Sequence, residues 1–405
     1  MGGPAYVVTV KDSSLVITAC DGGEAIHTYD RSGRLFAAWI HQRLYRRALD
    51  NRVVEKHTVI LDGLRTPMRR ELPPDERDRF LDRAAETAAA AQTALARGEA
   101  ELLWTARGRP SVADALRLVA AAAAFDASAA RRDAARFQAV YRPVGILPPD
   151  QYLAVVVQVT EGCHWNRCTF CTFYRSVPFH IKTPDELRAH LEGVRQFFGE
   201  GLSLRRAIFL GEANALVLPT SDLAERLDLI RSRLSDDGTR PVVSFLDIFT
   251  GRKKSAEDYG ALRQLGLRRV YLGVETGDDD LLRLLNKPQQ ARDALDLVRT
   301  LKAAGLQVGV IVMAGVGGRR FADSHVDRTL QLLNALPLDE GDLIYLSAFV
   351  ERPHSDYAAV ARARGLEPLT PQQMREQIRR LREGLRFPRL RGPKVARYDI
   401  DEFIY

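Results

Sequence analysis

The sequence predicts an α/β protein: a partial (β/α)6 barrel of TIM-like plan, with an N-terminal α+β domain of hairpin plus helices and a short helical C-terminal extension. Three observations carry this. After the punctuation at Pro143, Gly145 and Pro148-Pro149, short apolar runs alternate with helical stretches, the pattern of parallel strands joined by right-handed crossovers. Before it, a hairpin signal gives way to helical patterning. Beyond about residue 360 a single amphipathic helix runs into a tail rich in Pro and Arg. The domains read as 1–148, 149–360 and 361–405, the first inside and the second just above the usual ~100–200 residues per domain.

In chain order, Tyr6–Val10 and Leu15–Thr18 flank the turn-like Lys11-Asp12-Ser13-Ser14 and read as a β-hairpin. A second turn falls at Asp30-Arg31-Ser32-Gly33, and from there to about Arg142 the pattern reads as helical. A charged, alanine-rich helix starts at Asp75 after Pro73-Pro74, and another at Ser111, with Asp114 in capping-box position. In the barrel region, Ala154–Thr160 is an almost continuous apolar run, as suits a strand buried on both faces. Thr183-Pro184-Asp185-Glu186 supplies N-cap, N1 proline and capping glutamate to the next helix. Strands follow at Ala207–Leu210, Val242–Asp247, Arg269–Gly273, Val308–Met313 and Leu343–Val350. Helices between them open near Ser221 and cover about Ala256–Leu265, Asp279–Leu301 (broken at Asn286-Lys287-Pro288) and Ala322–Leu336.

Composition is that of an ordinary globular chain, 46% hydrophobic and 27% charged. No run approaches the ~20 apolar residues that span a bilayer. The start, MGGPAYVVTVKDSS, lacks the basic and apolar segments of a signal peptide. Four cysteines are too few for a disulfide framework, and a tight thiol triplet suits a reducing, cytoplasmic setting. The net charge of +7 would attract polyanions, but arginine is abundant throughout, which a general compositional bias explains better.

Cys163, Cys168 and Cys171 fall in the run Thr160-Glu161-Gly162-Cys163-His164-Trp165-Asn166-Arg167-Cys168-Thr169-Phe170-Cys171, just past the first barrel strand. In such barrels reactive groups gather at the C-terminal strand ends. Three thiolates this close can hold three irons of a [4Fe–4S] cubane and leave the fourth iron open. The same residues, with His164 as fourth ligand, are also a zinc pattern, though adjacent Cys163 and His164 make that geometry awkward.

The loop resembles the cluster motif of the radical S-adenosylmethionine (radical SAM) superfamily. It departs from the usual pattern in having four residues, rather than three, in the first gap. The second gap, Thr169-Phe170, keeps the aromatic before the third cysteine. The resemblance covers about Tyr152 to Asp356. It implies one [4Fe–4S] cluster on Cys163, Cys168 and Cys171, with S-adenosyl-L-methionine on the open iron. By the same resemblance Gly211-Glu212 would meet the cofactor's ammonium, Gly273 and Glu275 its ribose, and Phe170 and Val310 to Met313 its adenine. An electron donor of flavodoxin or ferredoxin type is implied too. Reductive cleavage would then give a 5′-deoxyadenosyl radical that abstracts a substrate hydrogen.

With only Cys20 left over, a second all-cysteine cluster cannot form in a monomer. Residues 1–145 hold no Asp-x-His-x-x-Gly motif of cobalamin-binding domains. Cys20 reads either as a hydrogen-atom donor or as a small buried hydrophobe ending a hairpin strand. Tyr174, Tyr271 and Tyr345 near strand ends read as packing residues. Asp247, His354 and Asp356 read as substrate contacts or caps. Arg43, Arg46 and Arg47 are expected on one amphipathic helix, either docked by its apolar face or holding RNA. The aromatic tail is expected to dock and close the open side of the barrel. The leading expectation is hydrogen abstraction from a small molecule, the alternatives being an RNA-modifying enzyme and a non-enzymatic zinc module.

Overall fold

The computed structural model describes residues 5–20, 24–61, 64–234, 240–352, 355–388 and 391–405. His354 lies outside them. The chain divides into two compact units, one of Met1–Pro143, Glu192–Arg206 and Ile404–Tyr405, the other of Val144–Leu191 and Ala207–Phe403.

The first unit is an eight-stranded sheet backed by helices. Strands β1 (Tyr6–Val10), β2 (Ser14–Ala19), β3 (Ala25–Asp30), β4 (Leu35–Ile40), β5 (Arg43–Arg47), β6 (Val53–Leu61) and β7 (Leu64–Glu71) form an antiparallel meander. Helix α1 (Pro74–Ala96) follows, then β8 (Glu101–Trp104), which lies parallel to β1, then α2 (Val112–Ala123) and α3 (Ala127–Val140). Alternation puts Val8, Val10, Leu15, Ile17 and Tyr29 on one face of the sheet. There they pack against Leu81, Ala84, Ala88, Leu118 and Val119 of the helices. The expected capping box of Ser111 and Asp114 is present.

The helix expected to carry Arg43, Arg46 and Arg47 does not exist; these residues lie on β5, and the described residues from 35 to 71 form strands β4 to β7 and their turns. The turns were hard to see because His41 (φ 48°) and Gln42 (φ 60°) make the β4–β5 connection, and Asn51 (φ 72°) helps turn into β6. Histidine and glutamine seldom announce a left-handed turn. Period-two alternation then separates the arginines. Arg47 is buried against Asp133 at 3.2 Å, and Arg34, also buried, reaches the other oxygen of Asp133 at 2.8 Å. Cys20 ends the hairpin strand but is exposed, so the buried-hydrophobe reading fails.

The second unit is the barrel. It begins with β9 (Ala154–Gln158), followed by a small ribbon of β10 (Thr160–Glu161) and β11 (His180–Ile181). Helix α4 (Pro184–Phe198) leads to β12 (Ala207–Gly211), α5 (Thr220–Leu234) and β13 (Val242–Leu246). Next come α6 (Ile248–Gly251), α7 (Ala256–Gln264), β14 (Leu267–Glu275), α8 (Asp279–Leu284) and α9 (Ala291–Ala303). Then β15 (Gln307–Ala314), α10 (Gly318–Ala335), β16 (Leu343–Ala348), α11 (Asp356–Ala363), α12 (Pro371–Glu383) and β17 (Lys394–Tyr398) complete the unit. The strands form one parallel sheet in the order β9-β12-β13-β14-β15-β16-β17, a partial TIM-like barrel. The six expected strands and the Asn286-Lys287-Pro288 break are all there. The seventh, β17, comes from the tail expected to dock. Its Lys-Val-Ala-Arg-Tyr sequence carries little apolar signal because an edge strand is only half covered.

Inside the barrel, Asp150 accepts from Tyr271 (2.6 Å), Tyr345 (2.7 Å) and Arg269 (3.0 Å). Gly309 makes room for this arrangement: a Cβ there would stand 2.4 Å from the paired Tyr271 ring. Tyr398 donates to the Leu147 carbonyl at 2.9 Å, and Tyr152 packs on Phe403, which ties the last strand to the segment leading into the first. Among the described residues no helix is long and apolar enough to cross a membrane.

Candidate active site

The cysteine loop leaves β10 and is fixed at several points. Gly162 (φ 70°) starts it, and a Cβ there would meet the Val177 carbonyl at 2.7 Å, so only glycine fits. The Gly162 N–H donates to Glu212 Oε2 and Gln158 Nε2 to Glu212 Oε1, both at 2.7 Å. Glu212, just past β12, therefore holds the root of the loop from behind. The extra residue of the first gap is absorbed at Asn166 (φ 45°), whose side chain donates to the Tyr174 carbonyl at 2.9 Å and whose N–H points at Cys163 Sγ at 3.4 Å. Asparagine tolerates that backbone region better than most residues.

The far side of the loop is anchored to the break between α8 and α9. Trp165 Nε1 donates to the Asn286 carbonyl at 2.9 Å, Asn286 Nδ2 to the Arg167 carbonyl at 2.8 Å, and the Thr169 N–H to the Leu285 carbonyl at 3.0 Å. Arg175 clasps the end of the loop, donating to the carbonyls of Cys171 (3.0 Å) and Cys168 (2.8 Å) and to Asp356 (2.8 Å). Asp356 thus braces the loop.

Cys163, Cys168 and Cys171 all line one cavity of about 240 Å³ at the C-terminal strand ends. Phe170, Gly273, Glu275 and Tyr174 line it too. Gly211, Glu212 and Val310 do not; Ile311 and Met313 face it from β15, because neighbouring strand residues point to opposite faces. Glu275 (φ 63°) is buried and paired with Lys287, whose Nζ lies 2.8 Å from its Oε1 and 2.6 Å from the Gly273 carbonyl. Burial alone would lower the Lys287 pKa, but Glu275 and Cys168 outweigh it and hold it above the ordinary value. Burial pushes the Cys168 thiol up to about 12 against the pull of Lys287, and raises Cys171 as well. Binding of a metal that requires thiolates must therefore release protons here.

A second group of polar side chains faces the same cavity. Asp247 caps α6, accepting from Thr250 N (2.8 Å) and Oγ1 (2.7 Å), and its other oxygen accepts from Asn214 Nδ2. His164 Nε2 lies 3.4 Å from that oxygen, yet both His164 nitrogens and Asn214 Oδ1 are buried without a hydrogen-bond partner. The His164 ring packs on Phe179 and Phe249, and burial lowers its pKa. Asn214 and Arg175 were not singled out in the sequence, and Asn286 and Lys287 were read only as a helix break. Their signals were slight: an unusual lysine in an arginine-rich chain, an arginine shortly after the third cysteine, and a helix break beside both.

An all-thiol donor set with one face toward a cavity fits a cubane cluster. Among the described residues no three His, Cys, Asp or Glu side chains converge as one metal ion requires. Three thiols lining a cavity at the strand ends of a parallel half-barrel are the arrangement an iron–sulfur enzyme would need. A family model described as the Radical SAM superfamily matches residues 157–333, so the barrel carries a domain of that superfamily. Its cofactors are a [4Fe–4S] cluster and S-adenosylmethionine, and its chemistry needs an electron donor and a substrate.

Among curated proteins, the chain is similar to the heme chaperone HemW of Buchnera aphidicola subsp. Schizaphis graminum, 23% identical over 167 residues. That match covers 40% of this chain and 43% of the relative, so the chain spans less than half the length of the curated protein it matches. Among solved structures, coproporphyrinogen III oxidase (HemN) from Escherichia coli aligns with a TM-score of 0.41 at 18% identity, covering 61% of this chain and 55% of that one. Methylornithine synthase (PylB) aligns at 0.40 and 16% identity, covering 57% and 63%.

Proposed function

We propose that Cys163, Cys168 and Cys171 hold three irons of the cluster and that the protein abstracts hydrogen from a small-molecule substrate. The observation that carries this is the convergence of the three thiols with Glu275, Lys287 and an apolar, aromatic cavity at the strand ends. The bound cofactors supply one electron and, by cleavage of S-adenosylmethionine, a carbon radical able to take a hydrogen atom. The chain does the rest. Gly273 and Glu275 would hold the nucleotide's ribose, with Lys287 keeping the Glu275 carboxylate in place. Phe170 would border the adenine, and Val310 lies on β15, the strand that presents Ile311 and Met313 to the cavity. Gly211 and Glu212 act through the loop they brace. Trp165, Phe245, Phe249 and Phe349 exclude water, while His164, Asn214 and Asp247 offer the substrate its polar contacts.

The electron donor is of flavodoxin or ferredoxin type, and the reducing setting that a cluster needs is cytoplasmic. The RNA reading loses its main support, because the expected basic helix is absent and Arg47 is buried against Asp133. Anaerobically reconstituted protein, given dithionite and S-adenosylmethionine, should release deoxyadenosine. Cys168→Ala should bind no cluster and release none; retention of both by that variant would overturn the assignment. A screen for deuterium transfer into deoxyadenosine, with hemin included on account of the chaperone similarity, identifies the substrate.

A further inference from the structure

The first unit carries a second cavity, separate from the barrel, between the inner face of the meander and α1. It encloses about 380 Å³. Its character changes from end to end. His27 on β3 is buried, 3% exposed, and lines the cavity with its Nδ1 lacking any hydrogen-bond partner. A buried imidazole nitrogen left unpartnered is costly, and a cavity beside it gives a ligand room to supply the missing bond. Burial also lowers the His27 pKa to about 4, so the ring is neutral and can donate through one nitrogen and accept through the other. The walls are flat and apolar: Tyr45 stacks on Phe80 with ring centroids 4.8 Å apart, next to Ile40 and Leu72.

The solvent side is cationic. Arg79 and Arg83, one turn apart on α1, both line the cavity and are exposed, and neither pairs with a carboxylate among the described residues. The acidic group beside them, Glu76, is held by Arg70 at 2.8 Å, and Arg70 also holds the buried Glu55 at 2.9 Å. Within the cavity lining, the two guanidiniums therefore face no unpaired carboxylate. Guanidinium pairs match the oxygens of a phosphate with directed hydrogen bonds.

We propose that this cavity binds a nucleotide-type ligand, a flat heterocycle that hydrogen-bonds His27 at the buried end and places its phosphate on Arg79 and Arg83 at the mouth. No part of this depends on the barrel's chemistry. The ligand needs both features: a heterocycle without phosphate loses the mouth, and phosphate alone leaves His27 unpartnered.

The test uses the full-length protein and adenosine monophosphate, adenosine and inorganic phosphate as probes, followed through the His27 imidazole signals by NMR. The barrel also holds an adenosyl cofactor, so the readout is confined to His27. Adenosine monophosphate should shift those signals saturably, adenosine and phosphate at least tenfold more weakly. The Arg79→Ala/Arg83→Ala variant, altered only on the exposed face of α1, should weaken the shift at least tenfold while the rest of the spectrum is kept. His27 signals unmoved by millimolar nucleotide would overturn the proposal, as would an equal response in the double variant.

Discussion

At the residue scale, the Glu275–Lys287 pair is the most exposed to test. Both groups are buried, and removing one partner of a buried pair leaves the other charge uncompensated. Lys287→Met should lower stability by about 3 kcal/mol, read from denaturant unfolding, and should weaken S-adenosylmethionine binding measured by calorimetry. His325 gives a pH signature. It is fully buried, its Nδ1 meets Thr276 Oγ1 at 2.8 Å, its Nε2 has no partner, and burial lowers its pKa to about 4. A folded-state pKa below the unfolded value of 6.5 means the folded state binds its proton later. Its contribution is complete above pH 6.5 and is lost as pH falls toward 4, by about 3 kcal/mol at about 1.4 kcal/mol per pKa unit. His325→Asn should flatten that part of the stability–pH curve; an unchanged slope would remove His325 as its cause.

At the element scale, the cysteine loop depends on partners outside itself. Arg175 makes three contacts that hold its end, and supporting contacts around metal ligands are commonly worth about 10–100-fold in metal affinity. Arg175→Ala should therefore lose iron to a chelator about tenfold faster, followed by the decay of cluster absorbance. Tyr398→Phe removes the buried hydroxyl that ties β17 to Leu147 and leaves that carbonyl short of a donor. A loss of about 1–2 kcal/mol is expected, measured by thermal or denaturant unfolding.

For the whole molecule, the barrel was legible because its strands are short apolar runs separated by capped helices, as at Val155–Val157 and Thr183-Pro184. The cysteine loop was legible from spacing alone. What escaped lies where the signal is tertiary. The β4–β7 meander was hidden because its turns use His41 and Gln42 and its strands carry arginines that find buried carboxylates, Arg47 that of Asp133 and Arg43 and Arg70 that of Glu55. The seventh strand was hidden by its exposed edge. Lys287 was hidden because nothing local pairs it with Glu275, which lies twelve residues away. The first unit yields its own prediction. Asp133→Ala takes from buried Arg47 the only carboxylate it pairs with among the described residues and leaves buried Arg34 with Asp30 alone, and should cost about 3 kcal/mol, visible as a lowered unfolding midpoint.

The order of the barrel strands also sets a timetable. Tyr398 and Ile400 supply part of the cavity wall, yet β17 leaves the ribosome long after the three thiols that precede β12. During synthesis the three thiols therefore emerge before that flank of the cavity exists, and the wall is complete only once the last strand has been made.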